Sequence, residues 1–467
     1  MKLSLSRLAY AAVVLTTVIP CVSTLAVPGP KVAAAGNDPF YDPPPGFEAE
    51  DRGTVLRSRR IVASFFGFIP APVKAYQVLY RTTAVNGSAI AGVTTVFKPA
   101  FAKNDRFVSY HAAYDSSASA CSPSYAYKLG HDPAAGFITN PVIEFLVIQL
   151  YLLSGYIVSS PDYEGPDAAF SPGYLSGMVA LDSMRAVGNF GETLGLKDDP
   201  SIVGVGYSGG ALATAWAAAM QPIYAPELSI KGWSAGGIPA NFTNVFDVLD
   251  GTVVSGFVPI AIAGILKPSA HGAELQPLFE RIITPLGRKV IELASTKCTI
   301  PNLVAFPFQS ILDTKFQSLG RGLLADPTVQ PILTRNTLGV NKSETPTAPV
   351  HMYHATPDEV VPYGPAAILR KSWCDYGATV KFTNFAAGGH VTTVVLALGD
   401  TLHFVRDAFA GKLTSGCESR DVFDDELDPL AFGLNLEPLA VGLINWLGAM
   451  GKKDENWLRG IESGRPI

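Results

Sequence analysis

Residues 201–220, SIVGVGYSGGALATAWAAAM, change character at their midpoint. The first half is apolar and β-branched at Ile202, Val203 and Val205, the composition of a strand buried on both faces. From Ala211 onward the stretch is alanine-rich and strongly helix-forming. Between the halves stands Gly206-Tyr207-Ser208-Gly209-Gly210, too short for a loop, so the strand must turn directly into the helix with Ser208 at the apex. Such a turn is strained and needs small residues around the serine. The helix N-terminus then aims its dipole and free N–H groups at the hydroxyl. Those are the requirements of a nucleophilic serine.

The same G-x-S-x-G pattern recurs at Gly232-Trp233-Ser234-Ala235-Gly236. In a chain with 44 glycines in 467 residues, one such match arises by chance roughly 0.3 times, so context must decide. Ser234 fails the strand–turn–helix test. Ile238-Pro239 and a sequon at Asn241 follow it and fit a loop. The reading is that IKGWSAGG forms the next strand, beside the turn at Ser208, and packs through its small residues.

Outward from this centre, short strand-like runs alternate with helical ones. The expected strands are AYQVLYRTTAV and IAGVTTVFKP, a hairpin turning at Asn86-Gly87, then RFVSYHAA, GYIVSSPDY, SIVGVGYS, IKGWSAG, VHMYHATPD and ATVKFTNF. Several are continuous apolar runs, as in a mostly parallel sheet covered by helices on both faces. Helical patterns such as PVIEFLVIQLYLLSG and LSGMVALDSMRAVGNF fall between them. Residues 238–335 break the alternation with helical or irregular sequence. An insertion there is expected to form a cap over the C-terminal ends of the strands, where such sheets bind ligands. The division expected is a leader over 1–26, an extended Pro/Gly/Ala-rich arm over 27–53, a core over 54–237 and 336–467, and the cap between.

The first 26 residues carry a basic start (Lys2, Arg7), an apolar run from Leu8 to Ile19 and Thr24-Leu25-Ala26, the anatomy of a secretory signal peptide. The run is too short to span a bilayer, and no later stretch is long and apolar enough. With Cys21 in the leader, Cys121, Cys298, Cys374 and Cys417 remain, an even number in an oxidising compartment. Two disulfides are expected, in any of three pairings. Asn86, Asn241 and Asn341 head N-glycosylation sequons. The net charge is −5, and −7 once Lys2 and Arg7 leave with the leader. No basic stripe appears, which argues against nucleic acid as a partner. A hydrophobic fraction of 48% against 16% charged residues suits a large core or a greasy ligand.

In α/β-hydrolases the acid and the base follow the nucleophile in the order Ser, acid, His. His111 and His131 precede Ser208. His271 falls in the cap, His351 and His354 within a strand, and His403 in a helical run. His390 follows a strand and a Gly-Gly turn, where a base can hang from a loop. Asp358 ends the preceding strand at Thr356-Pro357, with Glu359 as the alternative acid. Ser208 would attack a carbonyl carbon, His390 would take its proton and Asp358 would hold the imidazole. The developing oxyanion needs donors. The backbone N–H of Gly209 is one candidate; Asp115 or Tyr114, after RFVSYHAA, is the other.

These residues resemble the fungal secretory lipase family of the α/β-hydrolase superfamily over essentially all of the chain after the leader. The likeness rests on NDPFY, YDSSASACSPSYAY, PDYEG, GYSGGALAT, PDEVVP and GGH, in that order. The resemblance implies hydrolysis of acyl esters, including triacylglycerols, and assigns the acid and base to Asp358 and His390. It puts Asp115 beside Gly209 in the oxyanion hole. It pairs Cys121 with Cys298 and Cys374 with Cys417, and puts an acyl tunnel under the cap. It also implies a C-terminal flap within DPLAFGLNLEPLAVGLINW and no metal or organic cofactor. The expectation is a secreted, monomeric serine lipase acting on lipid or ester substrate at an oil–water interface, without a transmembrane anchor. The competing readings are a carboxylesterase or acyltransferase for small or aromatic esters, and a non-catalytic binding protein on the same fold.

Overall fold

The computed structural model describes residues 37–131 and 140–423. The leader and the expected C-terminal flap lie outside the described residues. The strands in chain order are β1 (Val55–Ile61), the short pair β2 (Ser64–Phe65) and β3 (Ile69–Pro70), β4 (Lys74–Thr83), β5 (Ala89–Lys98), β6 (Arg106–His111), β7 (Ile157–Pro161), β8 (Ser201–Tyr207), β9 (Ile230–Gly236), β10 (Val350–Ala355), β11 (Val380–Phe385) and β12 (Cys417–Val422). Ten of them form one sheet in the order β1-β4-β5-β7-β6-β8-β9-β10-β11-β12. The pairs from β1 to β7 are antiparallel. From β7 through β6 to β12 every pair is parallel. This is the α/β-hydrolase architecture expected from the sequence.

The alternation of side chains across each strand builds two cores. On one face Phe107, Ile157, Ile202, Val350 and Phe382 pack with Trp216 and Leu181 from the helices Gly209–Tyr224 and Gly173–Asn189. On the other, Val108, Tyr110, Val158, Val203 and Val205 meet Phe145, Ile148 and Val405 from the helices Asn140–Leu153 and Leu398–Phe409. With helices on both sides, the central strands need apolar residues at every position, which is why they read as unbroken runs.

All eight expected strands form. The hairpin closes through residues 84–88, with Gly87 at φ 86°. Residues 37–53 lie against the sheet. Asp38 pairs with Arg59 at 2.7 Å, Phe40 is buried and Tyr41 stacks on Tyr125. Between β9 and β10 the chain runs through the helices Phe242–Leu249, Phe257–Ile265, Gly272–Ile282, Pro285–Ala294, Thr299–Ala305 and Val329–Arg335. This segment holds apolar clusters of its own, built on Val245, Val258, Phe306, Phe316, Ile260 and Ile291. Among the described residues no helix is long and apolar enough to cross a membrane.

Candidate active site

Ser208 follows β8 and Asp358 follows β10, while His390 comes after β11 and Asp115 after β6. All four stand at the C-terminal edge of the parallel strands, where backbone ends converge. Ser208 has φ 54° and ψ −124°, a conformation that side chains rarely adopt and that costs about 1–3 kcal/mol. Two contacts hold it there. Its N–H bonds the Gly236 carbonyl at 2.9 Å, and its own carbonyl accepts from Leu212 N at 3.0 Å. The helix behind packs so tightly that a Cβ on Gly210 would lie 1.9 Å from the His111 carbonyl oxygen. Only glycine fits at that point.

The structure brings Ser208, His390 and Asp358 into one hydrogen-bonded chain. Ser208 Oγ lies 2.8 Å from His390 Nε2, and His390 Nδ1 lies 2.8 Å from Asp358 Oδ2. Asp358 is fixed from the other side, because its Oδ1 accepts from Val360 N at 3.0 Å and Val361 N at 2.8 Å. Burial opposes ionisation of Asp358, but the facing His390, His354 and the Val361 N–H outweigh it and hold the carboxyl below its usual 3.8. Burial likewise opposes an imidazolium at His390. Asp358, through charge and hydrogen bond, then Glu359 and Asp115 outweigh it and lift His390 above 6.5.

His390 differs from expectation in one respect. It does not hang in a loop but opens the helix His390–Leu396, with Gly389 as its N-cap. Its main chain is thereby held, as the free end of a Gly-Gly loop would not be. The other histidines sit elsewhere. His111 is buried between Ser109 and Thr214, and burial pushes its pKa down to about 3. His271 pairs with Glu274, and His351 bonds Ser234 Oγ at 3.0 Å inside the sheet. Ser234 is thus a buried strand residue bonded to a core imidazole. His354 is a buried, bonded strand histidine as its place in the sequence suggests, and it also borders the site, its Nε2 lying 2.9 Å from the Val361 carbonyl and 3.4 Å from Asp358 Oδ2.

Gly209 is the first residue of the helix, and the Asp115 carboxyl presses on it. A Cβ at 209 would fall 1.7 Å from Asp115 Oδ1. Asp115 is buried, has φ 45°, and its Oδ1 makes no hydrogen bond. Burial drives this carboxyl up to about 7. Its loop is tied to the helical insertion at three points. Thr299 Oγ1 donates to the carbonyls of Tyr114 (2.9 Å) and Asp115 (2.7 Å), Ser117 Oγ donates to the Ile260 carbonyl, and Cys121 is bonded to Cys298. The second disulfide joins Cys374 to Cys417.

Above Ser208 and Gly209 opens a pocket lined by Phe170, Phe242, Phe246, Val258 and Val361. Phe242, Phe246 and Ala261 also line a second cavity of about 130 Å³, walled by Ile262, Leu275, Leu278, Ile291 and Ile332. Its walls are almost wholly apolar. Asn86 and Asn341 are exposed. Asn241 is not in an open loop. It caps the helix Phe242–Leu249, its Oδ1 accepting from Thr243 N and Asn244 N, because an asparagine just ahead of a helix satisfies orphan N–H groups. Among the described residues no group of three His, Cys, Asp or Glu side chains could hold a metal ion.

Fold and site together define a hydrolase of the α/β-hydrolase class. Residues 133–416 match the secretory lipase family. The chain is 37% identical to secreted triacylglycerol lipase LIP3 of Malassezia restricta over 93% of each chain. It is 36% identical to secreted triacylglycerol lipase LIP1 of Malassezia furfur, over 88% of this chain and 84% of that one. The closed-state crystal structure of Candida antarctica lipase A superposes with a TM-score of 0.77 at 29% identity, covering 90% of this chain and 96% of that one. The chain belongs to the secretory lipase family and is a secreted carboxylic ester hydrolase.

Proposed function

We propose that the protein is a triacylglycerol lipase working through an acyl-enzyme on Ser208. The observation that supports this is the chain Ser208–His390–Asp358, with 2.8 Å at both links, at the floor of an apolar pocket. His390 Nε2 takes the Ser208 proton as Oγ attacks the ester carbonyl. Asp358 keeps the other ring proton on Nδ1 and stabilises the imidazolium. The backbone N–H groups of Gly209 and Asp115 donate to the oxyanion. The imidazolium then protonates the leaving alkoxide, and water resolves the acyl-enzyme by the same steps in reverse order.

Residues 238–335 act as the cap. The acyl chain runs from the pocket past Phe242 and Phe246 into the larger cavity, which offers it almost no polar wall. The enzyme works as a monomer at an oil–water interface, with Asn86 and Asn341 as the accessible glycan acceptors. The test compares p-nitrophenyl esters of rising chain length with an emulsified triacylglycerol, for wild type and Ser208→Ala. Hydrolysis confined to short esters would instead identify a carboxylesterase, and activity surviving in the Ser208 variant would refute the mechanism.

A further inference from the structure

His390 is reached from β11 through residues 386–389, which end in two glycines, Gly388 with φ 89°. Such a segment does not by itself fix where the next residue points. Contacts from elsewhere do. Asp358 takes the ring at Nδ1. The Tyr207 hydroxyl donates to the His390 carbonyl at 2.5 Å. Glu359 Oε2 accepts the His390 backbone N–H at 2.9 Å. Asp358 and Glu359 are neighbours, so one dipeptide after β10 grips a single histidine twice, by ring and by main chain. Gly389 is small enough to let this happen, since a Cβ there would lie 2.7 Å from Glu359 Oε2. PDE and GGH thus meet at two points, Asp358 at the His390 ring and Glu359 at its backbone N–H, the latter in the space that Gly389 leaves open.

We propose that Glu359 is a positioning residue whose carboxylate anchors the His390 main chain and keeps the imidazole in line with Ser208. The inference rests on the serine-hydrolase reading above. Asp358 then governs the tautomer and Glu359 the placement, two tasks given to adjacent acids. The anchor matters because a base displaced by about 1 Å loses up to about 100-fold in rate.

The test uses the full secreted chain with Glu359→Ala and Glu359→Gln. Five quantities are read: kcat and KM on p-nitrophenyl butyrate, the rate of phosphonate labelling, the pH profile of kcat/KM, and the melting temperature. Glu359→Ala should lower kcat and labelling together by about 10- to 100-fold, with KM within about twofold. Glutamine still accepts the N–H, so Glu359→Gln should keep kcat within about threefold. It removes one negative charge from the imidazole while Asp358, Asp115, His354 and Tyr207 still face it. Its acidic limb should therefore move down by roughly half a pH unit, the base form surviving to lower pH. Three results would overturn the proposal: unchanged kcat in Glu359→Ala, a loss confined to melting temperature, or glutamine behaving no better than alanine. Activity persisting in Ser208→Ala would instead refute the reading beneath it.

Discussion

Replacing Asp358 by asparagine changes a single atom, and the structure dictates what that atom does. Oδ1 sits where two backbone N–H groups point, from Val360 and Val361. In Asp358→Asn the amide oxygen must stay there, because an NH₂ group would face two donors. The amide nitrogen is thereby forced toward His390 Nδ1. The imidazole can bond it only by offering the Nδ1 lone pair, so its proton moves to Nε2 and faces Ser208 Oγ. A ring in that tautomer cannot accept the serine proton. The expected loss in kcat is about 10⁴-fold, or about 5.5 kcal/mol. Secretion and melting temperature should change little, because every backbone bond to the side chain is kept. Asp358→Ala should be less stable by about 2 kcal/mol, having left two buried N–H groups without a partner. The assay is steady-state hydrolysis of p-nitrophenyl butyrate, with melting curves run in parallel. A folded Asp358→Asn enzyme retaining more than about a hundredth of wild-type kcat would show that the tautomer argument is wrong.

Ser208→Ala should be secreted, folded and unlabelled by a phosphonate, whereas Ser234→Ala should keep most activity and lose about 1 kcal/mol of stability with its bond to His351. Leu278→Trp should fill the larger cavity without touching the pocket at Ser208. Its kcat/KM should then fall about tenfold or more on palmitate esters and hardly at all on butyrate, while equal losses on both would disconnect the cavity from the acyl path. Glu144 tests a half-buried acid: its Oε1 accepts from Ala113 N, Tyr110 faces the carboxyl, and desolvation outweighs both and pushes its pKa up from 4.5 to about 8. The folded state then holds a proton that the unfolded state gives up, so this group costs stability progressively as pH rises from 4.5 to about 8. Glu144→Gln should therefore melt near wild type at pH 5 and above it at pH 8.5. A difference that stays flat across that range would mean the carboxyl is ionised in the fold.

The elbow at Ser208 was legible because its evidence is local: a buried strand, a turn with no spare residue and a helix, all within twenty positions. The central strands were legible for a related reason, since burial on both faces leaves a continuous apolar signature. The edges were not. β1 reads VLRSRRI, with no position fully buried, and β12 reads CESRDV, exposed at five of its six positions, so neither carries an apolar repeat. Edge strands gain from charge, which discourages pairing with other chains, and that same charge hides them from pattern reading. β12 is fixed instead by its pairing with β11 and by the bond from Cys417 to Cys374.

The same division runs through the site. Ser208, Asp358 and His390 could be named because each stands at a strand end, in an order that the fold imposes. Glu359 and His354 could not be given their places from sequence, because the hydrogen bonds that seat them go to backbone, the N–H of His390 and the carbonyl of Val361, although His354 also faces the Asp358 carboxylate. A side chain that bonds main chain puts no constraint on the identity of its partner, so no second residue type advertises the contact. The one trace it leaves is steric, in Gly389, where a glycine after a glycine looks like turn chemistry until the carboxylate beside it is seen. The helix Thr299–Ala305 repeats the pattern. Thr299 reaches the carbonyls of Tyr114 and Asp115 across 185 and 184 positions, and only the pairing of Cys121 with Cys298, which the family resemblance implies, signals ahead of the structure that the insertion and the loop at Asp115 are joined. Residues that hold a site through the backbone are thus the ones for which coordinates are needed. They are also the ones whose loss should appear in kcat with KM unchanged, since they move the reacting groups and leave the binding walls alone.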